Sequence, residues 1–123
     1  MISILKLFLF LSLIPSAKAE NGKVVRLCDN SVAKIFISPR GTALDFPTEP
    51  QDVVLGAKGS FSIKYIRNDL TISPTTLNSR SNLFVYLQGR RFVLDLTTSS
   101  GGATLYFIKD CMEEKIKVKM NAK

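Results

Sequence analysis

Residues 42–96 decide the fold, and they read TALDFPTEPQDVVLGAKGSFSIKYIRNDLTISPTTLNSRSNLFVYLQGRRFVLDL. Apolar and polar residues alternate within this stretch, as in Phe61-Ser-Ile-Lys-Tyr65, which is the pattern of a strand with two unlike faces. The apolar runs are short and are separated by residues that favour turns, such as Gly56, Asn68 and Gly89. No long helical period occurs after residue 19. The sequence therefore predicts an all-β domain, a small antiparallel β-sandwich of short strands.

The same signals place strands along the rest of the chain. The predicted strands span residues 23–28, 32–38, 42–46, 52–56, 60–65, 69–73, 82–87, 91–97, 103–108 and 115–120. The connection Pro39-Arg40-Gly41 predicts a hairpin between the second and third strands, and Gln88-Gly89-Arg90 predicts a hairpin at the centre of the domain. Residues 75–81 are polar and lack a period, so they are predicted to form a loop.

The strand over residues 82–87 is apolar on both faces. Leu83, Val85 and Leu87 share one face, whereas Phe84 and Tyr86 lie on the other. This pattern is typical of a central strand that is covered on both sides, which is the more common case, or of a strand whose outer face meets a partner. Phe84 and Tyr86 are therefore the candidate interface residues.

Residues 1–19 have the features of a cleaved signal peptide. Lys6 supplies the positive charge, residues 7–14 form an apolar run, and Ala17-Lys18-Ala19 provides the small residues of a cleavage site. The apolar run is shorter than the about 20 residues that a membrane-spanning helix requires. We expect export to the periplasm, with residues 20–123 forming a single β-sandwich domain and no transmembrane segment in the mature chain.

Cys28 and Cys111 are the only cysteines of the chain. In an exported protein an even pair is usually bonded, so the sequence predicts a disulfide between them. A bond across this separation stabilises the domain by about 4 kcal/mol in the chain-entropy model. The alternative is two buried, unpaired thiols. A redox-active pair is disfavoured because the Cys-x-x-Cys spacing is absent.

The composition argues against most catalytic chemistry. The chain has no histidine, which excludes His-based triads, His general bases and most transition-metal sites. The carboxylates are scattered among turns and outward strand positions, where solvated side chains are expected, and Gly101-Gly102 is too short for a phosphate-binding loop. We therefore expect no enzymatic activity, no metal and no cofactor.

The net charge of +7 arises from 17 basic and 10 acidic residues. The basic residues are dispersed rather than clustered with stacking aromatics, so we expect no nucleic-acid binding. In residues 115–120, three lysines alternate with Ile116, Val118 and Met120. This alternation predicts an edge strand that its lysines protect from aggregation; the alternative is a stripe that binds a membrane surface or a partner.

A series of short motifs follows in register through the central stretch: Thr42-Ala-Leu-Asp-Phe-Pro47, Asp52-Val-Val-Leu-Gly56, Phe61-Ser-Ile63, Asn68-Asp-Leu-Thr-Ile-Ser-Pro74, Ser81-Asn-Leu-Phe-Val85 and Arg90-Arg-Phe-Val-Leu-Asp-Leu96. In order and spacing this series resembles the N-terminal domain of the TrbG/CagX family, the periplasmic subunit of the type IV secretion outer-membrane core, to which TraK proteins are related. The resemblance covers about half of the chain.

The resemblance implies a structural subunit of a secretion or conjugation apparatus, associated with the outer membrane through protein partners. Family members carry a second, C-terminal β domain that contacts a lipoprotein and the pore, and nothing in this sequence matches that domain. Only the scaffold role of the first domain is implied, with residues 82–85 and 91–94 as its matching core strands. The alternatives are a free-standing periplasmic or secreted regulatory binding module, similar to the N-terminal domains of secretins, and, last, a hydrolase.

Overall fold

The computed structural model describes residues 22–112 and 119–120. Within these ranges the chain forms nine strands, β1 to β9. In chain order they span Lys23–Leu27, Val32–Ile37, Thr42–Asp45, Asp52–Leu55, Phe61–Ile66, Asp69–Pro74, Arg80–Leu87, Arg90–Thr98 and Leu105–Asp110. Each of the nine predicted strands up to residue 108 has a counterpart, with bounds that differ by at most two residues.

The strands form two sheets that pack against each other, which confirms the all-β sandwich. The five-stranded sheet has the order β1-β9-β3-β6-β5, and the four-stranded sheet has the order β2-β8-β7-β4. The pairing is mixed rather than purely antiparallel, because β1 and β3 both run parallel to β9, and β2 runs parallel to β8. Alternation specifies the faces of a strand but not the direction of its neighbours, so the antiparallel expectation was wrong for these three pairs.

The predicted hairpin between β2 and β3 is also wrong, because the two strands belong to different sheets. The turn at Pro39 and Arg40 instead carries the chain across the sandwich. Thr42 fixes this corner: its Oγ1 accepts a hydrogen bond from the Ser38 amide at 2.8 Å and donates to the Ala103 carbonyl at 2.8 Å. The nearby Gly102 must be glycine, because a Cβ there would lie 2.6 Å from the Ser38 nitrogen.

Among the described strands, two consecutive pairs form hairpins within one sheet, β5 with β6 and β7 with β8. In the β7–β8 hairpin, Gln88 and Gly89 make the turn with φ values of 49° and 74°, and Leu87 pairs with Arg90. This hairpin occupies the middle of the four-stranded sheet, as predicted. In the β5–β6 hairpin, Arg67 takes a φ of 56° at the turn. Two-residue turns with positive φ match the twist of the strands they join.

The core lies between the sheets and is built from the inward residues of each strand. Eight of its side chains have no exposed surface: Ile37, Leu44, Leu70, Ile72, Leu83, Val85, Leu94 and Leu96. Tyr106 joins the sheets at the rim of the core, where its hydroxyl donates to the Phe36 carbonyl at 2.9 Å.

Two predictions fall on residues that the structure does not describe. The signal peptide over residues 1–19 lies wholly outside the described ranges, and so do residues 115–118 of the predicted edge strand. The last two residues of that strand, Lys119 and Met120, are helical rather than extended, so the strand prediction is wrong for them. No helix within the described ranges is long and apolar enough to cross a membrane.

Candidate interaction surface

An unbroken row of apolar side chains crosses the outer face of the four-stranded sheet. Strand register aligns its four members side by side: Val32 pairs with Val93, Val93 with Phe84, and Phe84 with Val54. We call these four residues the apolar row. At its two ends Val32 is 59% exposed and Val54 is 46% exposed, whereas Phe84 and Val93 are partly buried by their neighbours.

The structure places both candidate interface residues on this outer face. Phe84 belongs to the apolar row. Tyr86 lies two residues further along β7, on the same face, and its register partners are Arg91 and Asp52. β7 is an inner strand of its sheet, as the apolar pattern predicted. Among the described residues no second layer lies over Phe84 and Tyr86, and both are partly exposed.

Charged and polar residues flank the apolar row on both sides. One flank contains Arg91, Tyr86 and Asp52, and the other contains Lys34, Asp95 and Asn82. Within the described ranges, Arg91 and Asp95 each lack an ion pair. An apolar centre inside a polar rim is the usual composition of a protein–protein contact surface.

A second exposed aromatic side chain lies at one side of the sandwich, where the edge strand β5 approaches the edge strand β4. Tyr65 of β5 is 54% exposed. The Tyr65 hydroxyl lies 3.5 Å from the Val53 carbonyl, which faces away from the β4 ladder. Partial burial raises the pKa of the Tyr65 phenol, and the negative charge of Asp52 raises it further. Tyr65 therefore covers part of the β4 edge and limits strand pairing there.

The opposite end of the sandwich is fastened covalently. Cys28 and Cys111 form the predicted disulfide, with a Cα–Cα distance of 5.1 Å and a sequence separation of 83. The bond joins the ends of the parallel neighbours β1 and β9. The pairing is a structural tie, since both cysteines lie at strand ends that the ladder already brings together.

Arg90 reinforces this end by an ion pair with two carboxylates. Its guanidinium donates to Asp29 Oδ1 at 2.6 Å and to Asp110 Oδ2 at 2.7 Å, and it lies over the Phe92 ring at 4.8 Å from the ring centre. These hydrogen bonds raise the pKa of Arg90 above its usual value, with that to Asp29 as the largest cause. Sequence reasoning missed this cluster, although Arg90 shares the inward face of Phe92, where a cation requires a carboxylate partner.

The outer face of the five-stranded sheet contains a polar hollow of about 550 Å³, lined by Asp45, Ile66, Arg67, Asn68 and Asp69. Asp45 and Asp69 pair across β3 and β6. Burial raises the pKa of Asp45, as do the charge of Asp69 and a hydrogen bond with it, whereas Lys109 lowers it. Among the described residues no three potential metal-ligating side chains of the His, Cys, Asp or Glu type cluster anywhere. The hollow therefore offers two carboxylates without a third ligand.

No known protein family model matches this chain, and no curated protein matches it. The resemblance to the TrbG/CagX family therefore stays a prediction from the ordered motifs of residues 42–96.

Proposed function

We propose that this protein is an exported interaction subunit of the cell envelope, a component or accessory of a type IV secretion or conjugation apparatus. It acts by binding other proteins through the outer face of the four-stranded sheet. The observation that carries this proposal is the apolar row, which runs across all four strands without a polar interruption.

The energetics of the face support binding. Exposed contiguous apolar surface on a folded domain commonly marks an interaction site. Phe84 and Tyr86 lie beside each other at the centre of this face, and buried aromatic side chains often dominate interface energies. Strand pairing already fixes the backbone of this sheet, so binding through it costs little additional backbone entropy.

The disulfide supports an oxidising compartment, since such bonds persist outside the reducing cytosol. The predicted signal peptide supports export to the periplasm, and the ordered motifs of residues 42–96 support the role of a scaffold subunit. The periplasmic location and the secretion system are part of the proposal.

Site-specific photocrosslinking in the producing cells tests the proposed face. A benzophenone amino acid is introduced at Phe84 or Tyr86, and as a matched control at Thr71, a partly buried residue on the outer face of the five-stranded sheet. We expect ultraviolet light to yield discrete high-mass adducts from positions 84 and 86 and none from position 71. The adducts are then identified by mass spectrometry.

Two outcomes would count against the proposal. Adducts of equal yield from position 71 would show that the four-stranded face has no special role. Absence of adducts at positions 84 and 86, in a variant that is exported and keeps its disulfide, would exclude a stable contact through this face.

A further inference from the structure

The outer face of β8 shows a pattern of charge that is complementary to itself. Arg91, Val93 and Asp95 follow one another at alternate positions of this strand, so all three side chains point away from the core. Arg91 and Asp95 lie about 13 Å apart at the usual strand rise, one on each side of the apolar row. β8 thus presents a positive, an apolar and a negative group in sequence.

Neither charge is neutralised by an ion pair within the described part of the chain. Lys34 is the register neighbour of Asp95, yet the two make no ion pair. Because β8 is an inner strand, both charges lie on the broad face rather than at an edge. A partner that covers the apolar row and presents a charge of opposite sign to Arg91 and to Asp95 gains two ion pairs and a fixed orientation on this face.

We infer that the partner on this face is a second copy of the same chain, packed face to face with the two β8 strands antiparallel. This inference rests on the proposed function and names the partner of that surface. A two-fold axis along the apolar row places Val93 against the second copy's Val93, and Phe84 against the second copy's Phe84. The same operation places Arg91 against the second copy's Asp95, and Asp95 against the second copy's Arg91.

The other positions of the face fit this arrangement. Tyr86 comes to lie against the second copy's Asn82, and Asp52 against the second copy's Gly56, so no like charges oppose each other. A parallel superposition of the two β8 strands would instead bring Arg91 onto Arg91 and Asp95 onto Asp95. Aligned sheets pack at about 10 Å with a crossing angle of roughly 30°, which concentrates the contact at the centre of the row.

Charge reversal tests this geometry, and the Kd of the dimer is measured by analytical ultracentrifugation of the disulfide-bonded chain purified from an exporting host. In a homodimer of the Arg91→Asp variant, two aspartates face each other at each of the two symmetric contacts. In a homodimer of the Asp95→Arg variant, two arginines face each other there. We expect each single variant to weaken the dimer by about tenfold or more in Kd at low salt. The double variant Arg91→Asp/Asp95→Arg restores both contacts with reversed polarity, so its Kd returns towards that of the parent.

Mixing the two single variants gives a further test that a merely structural effect would not pass. Each copy then carries the charge that the other requires, so an equimolar mixture is expected to form a heterodimer more tightly than either variant forms a homodimer. Phe84→Asp places a charge in the middle of the row and is expected to abolish the dimer. Circular dichroism and the melting temperature of every variant confirm that the fold is kept.

The outcomes separate this inference from the proposed function. If the parent chain stays monomeric up to about 1 mM, the partner is not a second copy. A dimer whose Kd is unchanged by both charge reversals would also contradict the inference. If photocrosslinks from positions 84 and 86 then lead to a different protein, the proposed function stands with another partner. If those positions give no crosslinks at all, both fail.

Discussion

The two outer faces of this sandwich are built on the same alternation, yet only one is continuous in its apolar surface. On the four-stranded sheet the apolar row runs through Val32, Val93, Phe84 and Val54. On the five-stranded sheet the equivalent row contains, in register, Val24, Phe107, Asp45, Asp69 and Ile66. We call this second set the interrupted row, because two carboxylates divide its apolar members.

The difference shows that alternation alone does not make a binding face. Alternation decides which residues point outward, but strand register decides which of them become neighbours across the sheet. The carboxylates of the interrupted row lie next to each other at a cost in free energy, since partial burial and then the proximity of Asp69 raise the pKa of Asp45. The two carboxylates keep the outer face of the five-stranded sheet hydrated, whereas the outer face of the four-stranded sheet stays apolar and available to a partner.

The inner and outer faces of β7 give the largest expected contrast. Leu83 is fully buried and Phe84, its neighbour in sequence, faces outward. We expect Leu83→Ala to lower the free energy of unfolding by about 2–5 kcal/mol, because it leaves a cavity between the sheets. Phe84→Ala removes a larger side chain but is expected to cost only about 1 kcal/mol, mainly from strand propensity and neighbour contacts.

Urea denaturation of the two disulfide-bonded variants against the parent chain measures both values. Protein concentration must be low enough to keep the parent monomeric, so that loss of a dimer does not add to the result. Equal losses from the two substitutions would mean that Phe84 belongs to the core, and the apolar row would then lose its role as a separate surface.

Much of this contrast could be predicted from the sequence, because it depends on local periodicity. The pattern of residues 82–87 correctly separated Leu83, Val85 and Leu87 from Phe84 and Tyr86. The turn residues Gln88 and Gly89 correctly predicted the hairpin that sets β7 beside β8. The cysteine pairing was also predictable, since a chain with two cysteines can form only one intramolecular disulfide.

The features that depend on distant neighbours could not be predicted. The apolar row needs Val32 and Val54 to reach the β7–β8 hairpin from strands that lie far away in sequence, and period-two patterns contain no information on such pairing. For the same reason β2 and β3 were expected to form a hairpin. The Arg90 cluster draws on Asp29 and Asp110, which lie 61 and 20 residues away, so no motif contains it.

Removing the interruption from the five-stranded face tests whether continuity of apolar surface is what creates association. In a Phe84→Asp background, which disables the first face, Asp45→Val with Asp69→Val is expected to produce new self-association. Each added valine contributes about 1.5 kcal/mol when it is fully buried in a contact. Size-exclusion chromatography with light scattering measures the change in mass.

The matched control is Asp45→Asn with Asp69→Asn in the same background, which removes both charges but adds no apolar surface. We expect this variant to remain monomeric. Association of the asparagine pair would show that charge repulsion alone keeps the face free, and a monomeric valine pair would show that a continuous row is not sufficient for binding.

The smallest effect concerns the titration of Asp45. Burial, the charge of Asp69 and the hydrogen bond with Asp69 together outweigh Lys109, so the pKa of Asp45 in the folded chain lies above its ordinary value of 3.8. Between 3.8 and that raised value the folded state holds a proton that the unfolded state has lost. The free energy of unfolding therefore falls as the pH rises through this interval, and the loss persists at neutral pH. Asp45→Asn keeps a hydrogen-bond donor towards Asp69 and removes the titration, so its stability relative to the parent is expected to rise through the same interval and then to level off. Melting temperatures of both chains from below pH 3.8 to neutrality measure this difference.

Asp69→Asn in the parent provides the internal check: it is expected to reduce the pH dependence without abolishing it, because burial, the largest cause, stays in place. A constant difference between Asp45→Asn and the parent at all pH values would mean that the two carboxylates of the interrupted row impose no electrostatic cost on the fold.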